Sequence, residues 1–176
     1  MLRKLQSAVV RGMHLRARTA LFAAFVTCML AALSVVSTSG ARAETSMPVQ
    51  GKMVWDLTTL QIINSIGAGG NTILWGTTTV YVTGDFGGTA TDSWRETLYR
   101  TGAFSLWDTM AIPTTLDGKS GTVTMLLAGR AASPGSYWTG EWVILRATDG
   151  LEGLHGVGTW WTTNLGYDFS GEVHFV

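Results

Sequence analysis

Glu96 and Arg100, a carboxylate and a guanidinium four residues apart, are the first candidates in this chain for acid–base chemistry. They lie in Ala90 to Arg100, ATDSWRETLYR, where Trp94, Glu96, Leu98 and Arg100 share one parity. In a strand, residues of one parity share one face. If that face is enclosed, a carboxylate and a guanidinium stand over an aromatic cavity. Burying either charge is costly unless it pairs with the other or with a ligand. A desolvated carboxyl there titrates high and can serve as general acid or base. The plainer expectation is an outward face, where the two form a surface ion pair of little worth.

Eight tryptophans add a second signal: Trp55, Trp75, Trp94, Trp107, Trp138, Trp142, Trp160 and Trp161. Three readings stay open. They fill a core, they line an apolar ligand cavity, or they stand exposed to stack on sugars or meet a partner. In the cavity reading Trp94, Leu98 and Trp142 are the expected ligand contacts, and Glu141 is a lesser acidic candidate. Other residue types are less promising. His155, among glycines, reads as a loop residue, and His174 alternates with Glu172 on a face opposite Val173 and Phe175. Two distant histidines without cysteine make no zinc site, and no calcium-loop spacing is present. Asp85, Asp92, Asp117 and Asp149 read as turn residues that bond nearby N–H groups. No nucleophile elbow or phosphate-binding glycine loop occurs. No metal or cofactor is expected.

These residues need a scaffold, and the pattern supplies strands. Segments rich in Thr, Val, Ile, Trp and Tyr fall at 51–66, 72–83, 90–100, 103–112, 122–129, 137–148, 158–163 and 167–176. Between them lie turn residues, among them Gly67-Ala68-Gly69-Gly70-Asn71 and the Asp117-Gly118 hairpin signal. Pro113 is expected to end pairing or bend its strand. Gly150 to Gly158 reads as a glycine-spaced loop. Glycines inside strands, Gly76, Gly140 and Gly171, suit the bends of a closing sheet. Eight short strands at roughly ten-residue spacing predict one all-β antiparallel domain, a sandwich or, preferably, a closed barrel.

The first 43 residues are set apart. Arg3, Lys4, Arg11, Arg16 and Arg18 precede an uncharged run, Thr19 to Gly40, that ends at Ala41-Arg42-Ala43. That order is a secretory signal peptide, 1–43, ahead of a barrel domain, 44–176; an uncleaved anchor is the competing reading. Cleavage removes Cys28, the single cysteine, and leaves six Lys/Arg against twelve Asp/Glu, a net charge of −6. An acidic exported domain binds nucleic acid and anionic membrane poorly. The expected location is outside the cytoplasm, secreted or periplasmic, without stable membrane insertion after cleavage.

A resemblance rests on Leu116-Asp117-Gly118-Lys119-Ser120-Gly121, then Trp142-Val143-Ile144, then Gly150-Leu151-Glu152-Gly153-Leu154-His155-Gly156-Val157-Gly158, and the closing Tyr167, Gly171, Val173 and Phe175. In this order, covering Leu116 to Phe175, the chain resembles bacterial proteins of unknown function with an allene oxide cyclase-like barrel. The resemblance implies an eight-stranded antiparallel barrel, related in shape to allene oxide cyclases and dirigent proteins, which steer small apolar molecules held inside. It also allows homo-oligomers. Leu126, Leu127 and Met110 stand where members of that group often carry polar residues, so no catalytic residue transfers. Two functions are therefore expected. One is an exported barrel that binds a small apolar molecule, with isomerase or cyclase activity of that type. The alternative is a non-enzymatic structural or interaction protein with a solid core.

Overall fold

The computed structural model describes residues 45–133 and 135–176, all within one compact unit, Glu44–Val176. The expected signal segment 1–43, with Cys28, lies outside the described residues. Eight strands follow in chain order: β1 (Met47–Ala68), β2 (Asn71–Gly84), β3 (Gly88–Leu98), β4 (Phe104–Leu116), β5 (Lys119–Ala131), β6 (Thr139–Ala147), β7 (Leu154–Thr163) and β8 (Gly166–Phe175). Each pairs antiparallel with its chain neighbours, and β8 returns to β1, closing the sheet into a barrel. Closure removes both sheet edges. A short 3₁₀ turn, Asp149–Leu151, joins β6 to β7.

The expected strand positions hold with local corrections. β1 is the longest strand, and its register against β2 shifts between Asp56 and Gln61. Leu57 to Leu60 bulge out there. Gly156 and Gly158 are strand residues of β7, not loop. His155 is therefore a strand residue too; it pairs with His174 on β8, and the rings stack 5.9 Å apart. Pro113 ends only one ladder. Pairing with β3 stops at Ala111, while Pro113 remains paired with Thr122 on β5. A residue without an N–H suits a position where one side has lost its partner. Asp117 and Gly118 have φ of 50° and 73°, so both central residues of the β4–β5 hairpin are left-handed, as an Asp-Gly turn favours.

Inward and outward positions alternate along the strands except at the bulges. Half of the barrel is filled by Met53, Val80, Met110, Ile112, Val123, Met125, Leu151, Leu154 and Val173, all essentially buried. Phe86 stacks on Phe169 at 6.0 Å, and Trp142 meets both rings edge-on. The inward glycines serve a purpose other than bending. Trp142 lies over Gly158 and Gly171, which face each other on β7 and β8; Trp160 lies over the facing Gly129 and Gly140. Trp94 lies over its cross-strand partner Gly76. A Cβ at Gly140 would come within 2.5 Å of Trp160 Nε1. Small residues on adjacent strands thus make room for each large indole.

Candidate functional site

The other half of the barrel is open. It holds a cavity of about 200 Å³. Trp55 of β1, Trp94 of β3, Trp138, which precedes β6, and Trp160 of β7 form most of its wall. Leu106 of β4 and Tyr167 of β8 complete it, while Leu57 and Leu60 of the β1 bulge stand at the rim. The rings are held in place. Tyr167 meets Trp55 edge-on at 4.6 Å and Trp160 at 5.7 Å. Trp160 Nε1–H donates to the Glu141 carbonyl at 3.2 Å, and Trp94 Nε1–H donates to Thr78 Oγ1 at 3.3 Å. The bulge is fixed by Asp56, whose Oδ1 accepts from the Thr58 N–H and hydroxyl at 3.0 and 2.6 Å.

Polar groups in the cavity are few and acidic. Asp92 of β3 lines it, facing Thr78 across the β2–β3 ladder. Asp92 and Asp108 of β4 are 0% and 1% exposed, on adjacent strands in diagonal register. Trp55 Nε1–H donates to Asp92 Oδ2 at 2.7 Å. Asp92 Oδ1 and both oxygens of Asp108 receive no hydrogen bond from any other protein group. Two carboxylates cannot both ionise here, so they share a proton. Burial raises the titration of Asp108 well above the usual range, and the neighbouring Asp92 carboxyl raises it further. Burial also raises Asp92, opposed by the neighbouring Asp108 carboxyl and by the Trp55 N–H on Asp92 Oδ2. The pair titrates as a unit, above the ordinary aspartate range. Glu96, on the cavity wall, is raised by burial. Tyr167 is raised by burial and by the Glu96 charge. A pair sharing one proton can donate it to a ligand oxygen or accept one from a ligand carbon.

The residues singled out by sequence separate. The even face of β3 points inward, not outward, so Glu96 and Trp94 both line the cavity. Arg100 does not join Glu96. It lies past the end of β3, exposed, with its backbone N–H bonded to Asn71 Oδ1 at 2.9 Å. Leu98 ends β3 half-buried, outside the cavity wall. Trp142 is sealed in the filled half, with its Nε1–H on the Ser170 carbonyl at 3.2 Å. Glu141 points outward, exposed. Asp92 is a buried strand residue and not a turn residue. Sequence reasoning passes over Asp108, Trp55 and Tyr167 as site residues. Parity is the signal that could find the acids, because Asp92 shares a face with Trp94 and Glu96, and Asp108 falls between Leu106 and Met110. Among the described residues, no three His, Cys, Asp or Glu side chains gather as a metal ion requires.

The fold and site thus describe a closed antiparallel barrel with an acidic, tryptophan-walled mouth. No family model matches the sequence, and no curated protein matches it. Among solved structures, the chain is similar to a protein of unknown function of the DUF3224 family from Shewanella oneidensis MR-1. The TM-score is 0.63 at 15% identity, covering 75% of this chain and 98% of that one. At that identity the likeness speaks for the fold alone.

Proposed function

We propose that this chain is an exported barrel that takes a small, largely apolar molecule into the tryptophan-walled cavity and moves a proton on it, as an isomerase or cyclase of the allene oxide cyclase-like kind. The observation that carries the reading is the Asp92–Asp108 pair. Nothing in the core needs a half-satisfied acid pair, which costs stability where it stands. It gains a use if a ligand completes it. Asp92, the member of the pair that lines the cavity, can give the pair's proton to a ligand oxygen and take one from a neighbouring carbon. The ligand keeps its composition, the pair returns to its starting state, and no cofactor is consumed. The alternative, a non-enzymatic interaction protein, draws on a different feature. Leu126, Val143 and Val157 pair directly across β5, β6 and β7 on the outer face, beside Trp107, which is 55% exposed. A second copy would cover that strip.

The test uses protein recovered from the exported fraction of expressing cells, whose first residue also reads cleavage after Ala43. Small apolar alcohols, ketones and epoxides are titrated against tryptophan emission, and products are followed by mass spectrometry. Saturable quenching lost in Trp94→Leu supports binding, and conversion lost in Asp92→Asn supports proton transfer. No saturable binding by any compound overturns the reading.

A further inference from the structure

Among the described residues, the cavity wall carries no Lys, Arg or His. Its titratable side chains are Asp92, Glu96 and Tyr167, with Asp108 diagonal to Asp92 on the adjacent strand. Around them stand four indoles and one phenol ring. An acidic floor under several aromatic faces is unfavourable for an anion and of no use to a plain hydrocarbon. It suits a cation whose charge is spread over alkyl groups, because ring faces are electron-rich and such cations are weakly hydrated.

We infer that the ligand taken by this cavity bears a positive charge, as an alkylated amine or quaternary ammonium seated between the Trp55, Trp94 and Trp160 rings with its charge toward Asp92. This deepens the proposed function and rests on its premise that the cavity takes a small molecule. Three observations support it independently of charge counting. Asp92 is fully buried, lines the cavity, and its Oδ1 receives no hydrogen bond from another protein group. Even with one proton shared between Asp92 and Asp108, at least one oxygen of the pair lacks a partner. The Trp94 and Trp160 N–H groups are already engaged with Thr78 and Glu141, so these indoles offer their rings rather than donors. The acids do not converge as a metal ion demands.

Binding is then linked to protons. A cation beside Asp92 favours loss of the proton the pair shares and keeps Glu96 ionised, so affinity rises with pH. The groups facing the pair introduce no opposing titration. β1, β2, β5 and β7 present Trp55, Thr78, Leu127 and Trp160, and the Tyr167 phenol of β8 stays protonated through the neutral range. A ligand that only accepts a hydrogen bond from the protonated pair shows the opposite trend.

Choline and its uncharged carbon isostere, in which a tert-butyl group replaces trimethylammonium, are titrated against the exported protein at about pH 5.5 and about pH 8. Tryptophan emission reads binding, and calorimetry in buffers of different ionisation enthalpy reads proton release. The expected result is choline bound roughly tenfold or more tighter than the isostere, tighter at the higher pH, with protons released. Asp92→Asn and Glu96→Gln should each narrow that preference; Glu96 is half-buried, so its variant reports even if Asp92→Asn folds poorly. If the isostere binds as well as choline, the charge assignment is overturned while the small-molecule reading stands. If neither binds and no apolar alcohol, ketone or epoxide does, both fall.

Discussion

Replacing Asp108 by asparagine should stabilise this protein at neutral and alkaline pH. The amide fills the same volume and presents a fixed N–H to Asp92, where the wild-type chain must first take up a proton. The sign follows from linkage. Burial raises the titration of Asp108 and Asp92 above the ordinary aspartate value of 3.8. The folded state therefore binds more protons than the unfolded chain above that value. The pair's favourable contribution is complete below the unfolded pKa and is lost as pH rises through the folded one. The amide of the Asp108→Asn variant does not titrate, so that loss should be largely abolished. Its size is that of leaving a buried polar group unsatisfied, about 1–3 kcal/mol. For a domain of this length that is on the order of 4 °C in Tm per kcal/mol. Urea unfolding of wild type and Asp108→Asn at several pH values from about 4 to about 9 measures it. The two proteins should be close at the acid end and separate as pH rises, with the variant above. Wild type gaining on the variant toward alkaline pH would refute the reasoning, because it would mean that the ionised pair is held favourably by partners of its own.

Two further predictions concern the division of the barrel. Gly140→Ala would set a Cβ against the Ala128 carbonyl oxygen and Trp160 Nε1, costing about 1–3 kcal/mol by overpacking and pushing the indole into the cavity. The check is a lowered Tm with weakened ligand quenching in the same variant; an unchanged Tm would show that Trp160 moves freely. Trp142→Ala should cost about 3–5 kcal/mol because Trp142 is 2% exposed in the filled half, whereas Trp138→Leu, at the half-buried cavity wall, should cost much less and act on binding. Equal losses in chemical denaturation would contradict a filled half and an open half.

Much of this architecture is legible in the chain. Eight β-rich segments, their turn residues and the Asp117-Gly118 hairpin depend on local backbone preference, which each residue carries with it. Parity is legible too, and on β3 it places Asp92, Trp94 and Glu96 together. What parity does not reveal is which face is inside, because several strands are apolar or threonine-rich on both faces. That choice is made by closure. Once β8 pairs with β1, the even face of β3 turns inward and Glu96 becomes a wall residue. Arg100 shares that parity but lies beyond Leu98, where the ladder ends, and cannot follow it.

Local pattern along the chain specifies the eight strand segments, their turns and the supply of tryptophan. Which tryptophans seal the filled half and which front the cavity is set by the tertiary structure. Trp142 and Trp160 lie in similar local sequence, yet one is sealed under Phe86 and Phe169 while the other fronts the cavity. It alone joined Asp92 to Asp108, sixteen residues apart in the chain and diagonal on neighbouring strands. The reason is geometric. Propensity and alternation act within a strand, whereas the meeting of two acids depends on the register between strands, which the hairpin and the closed barrel set together.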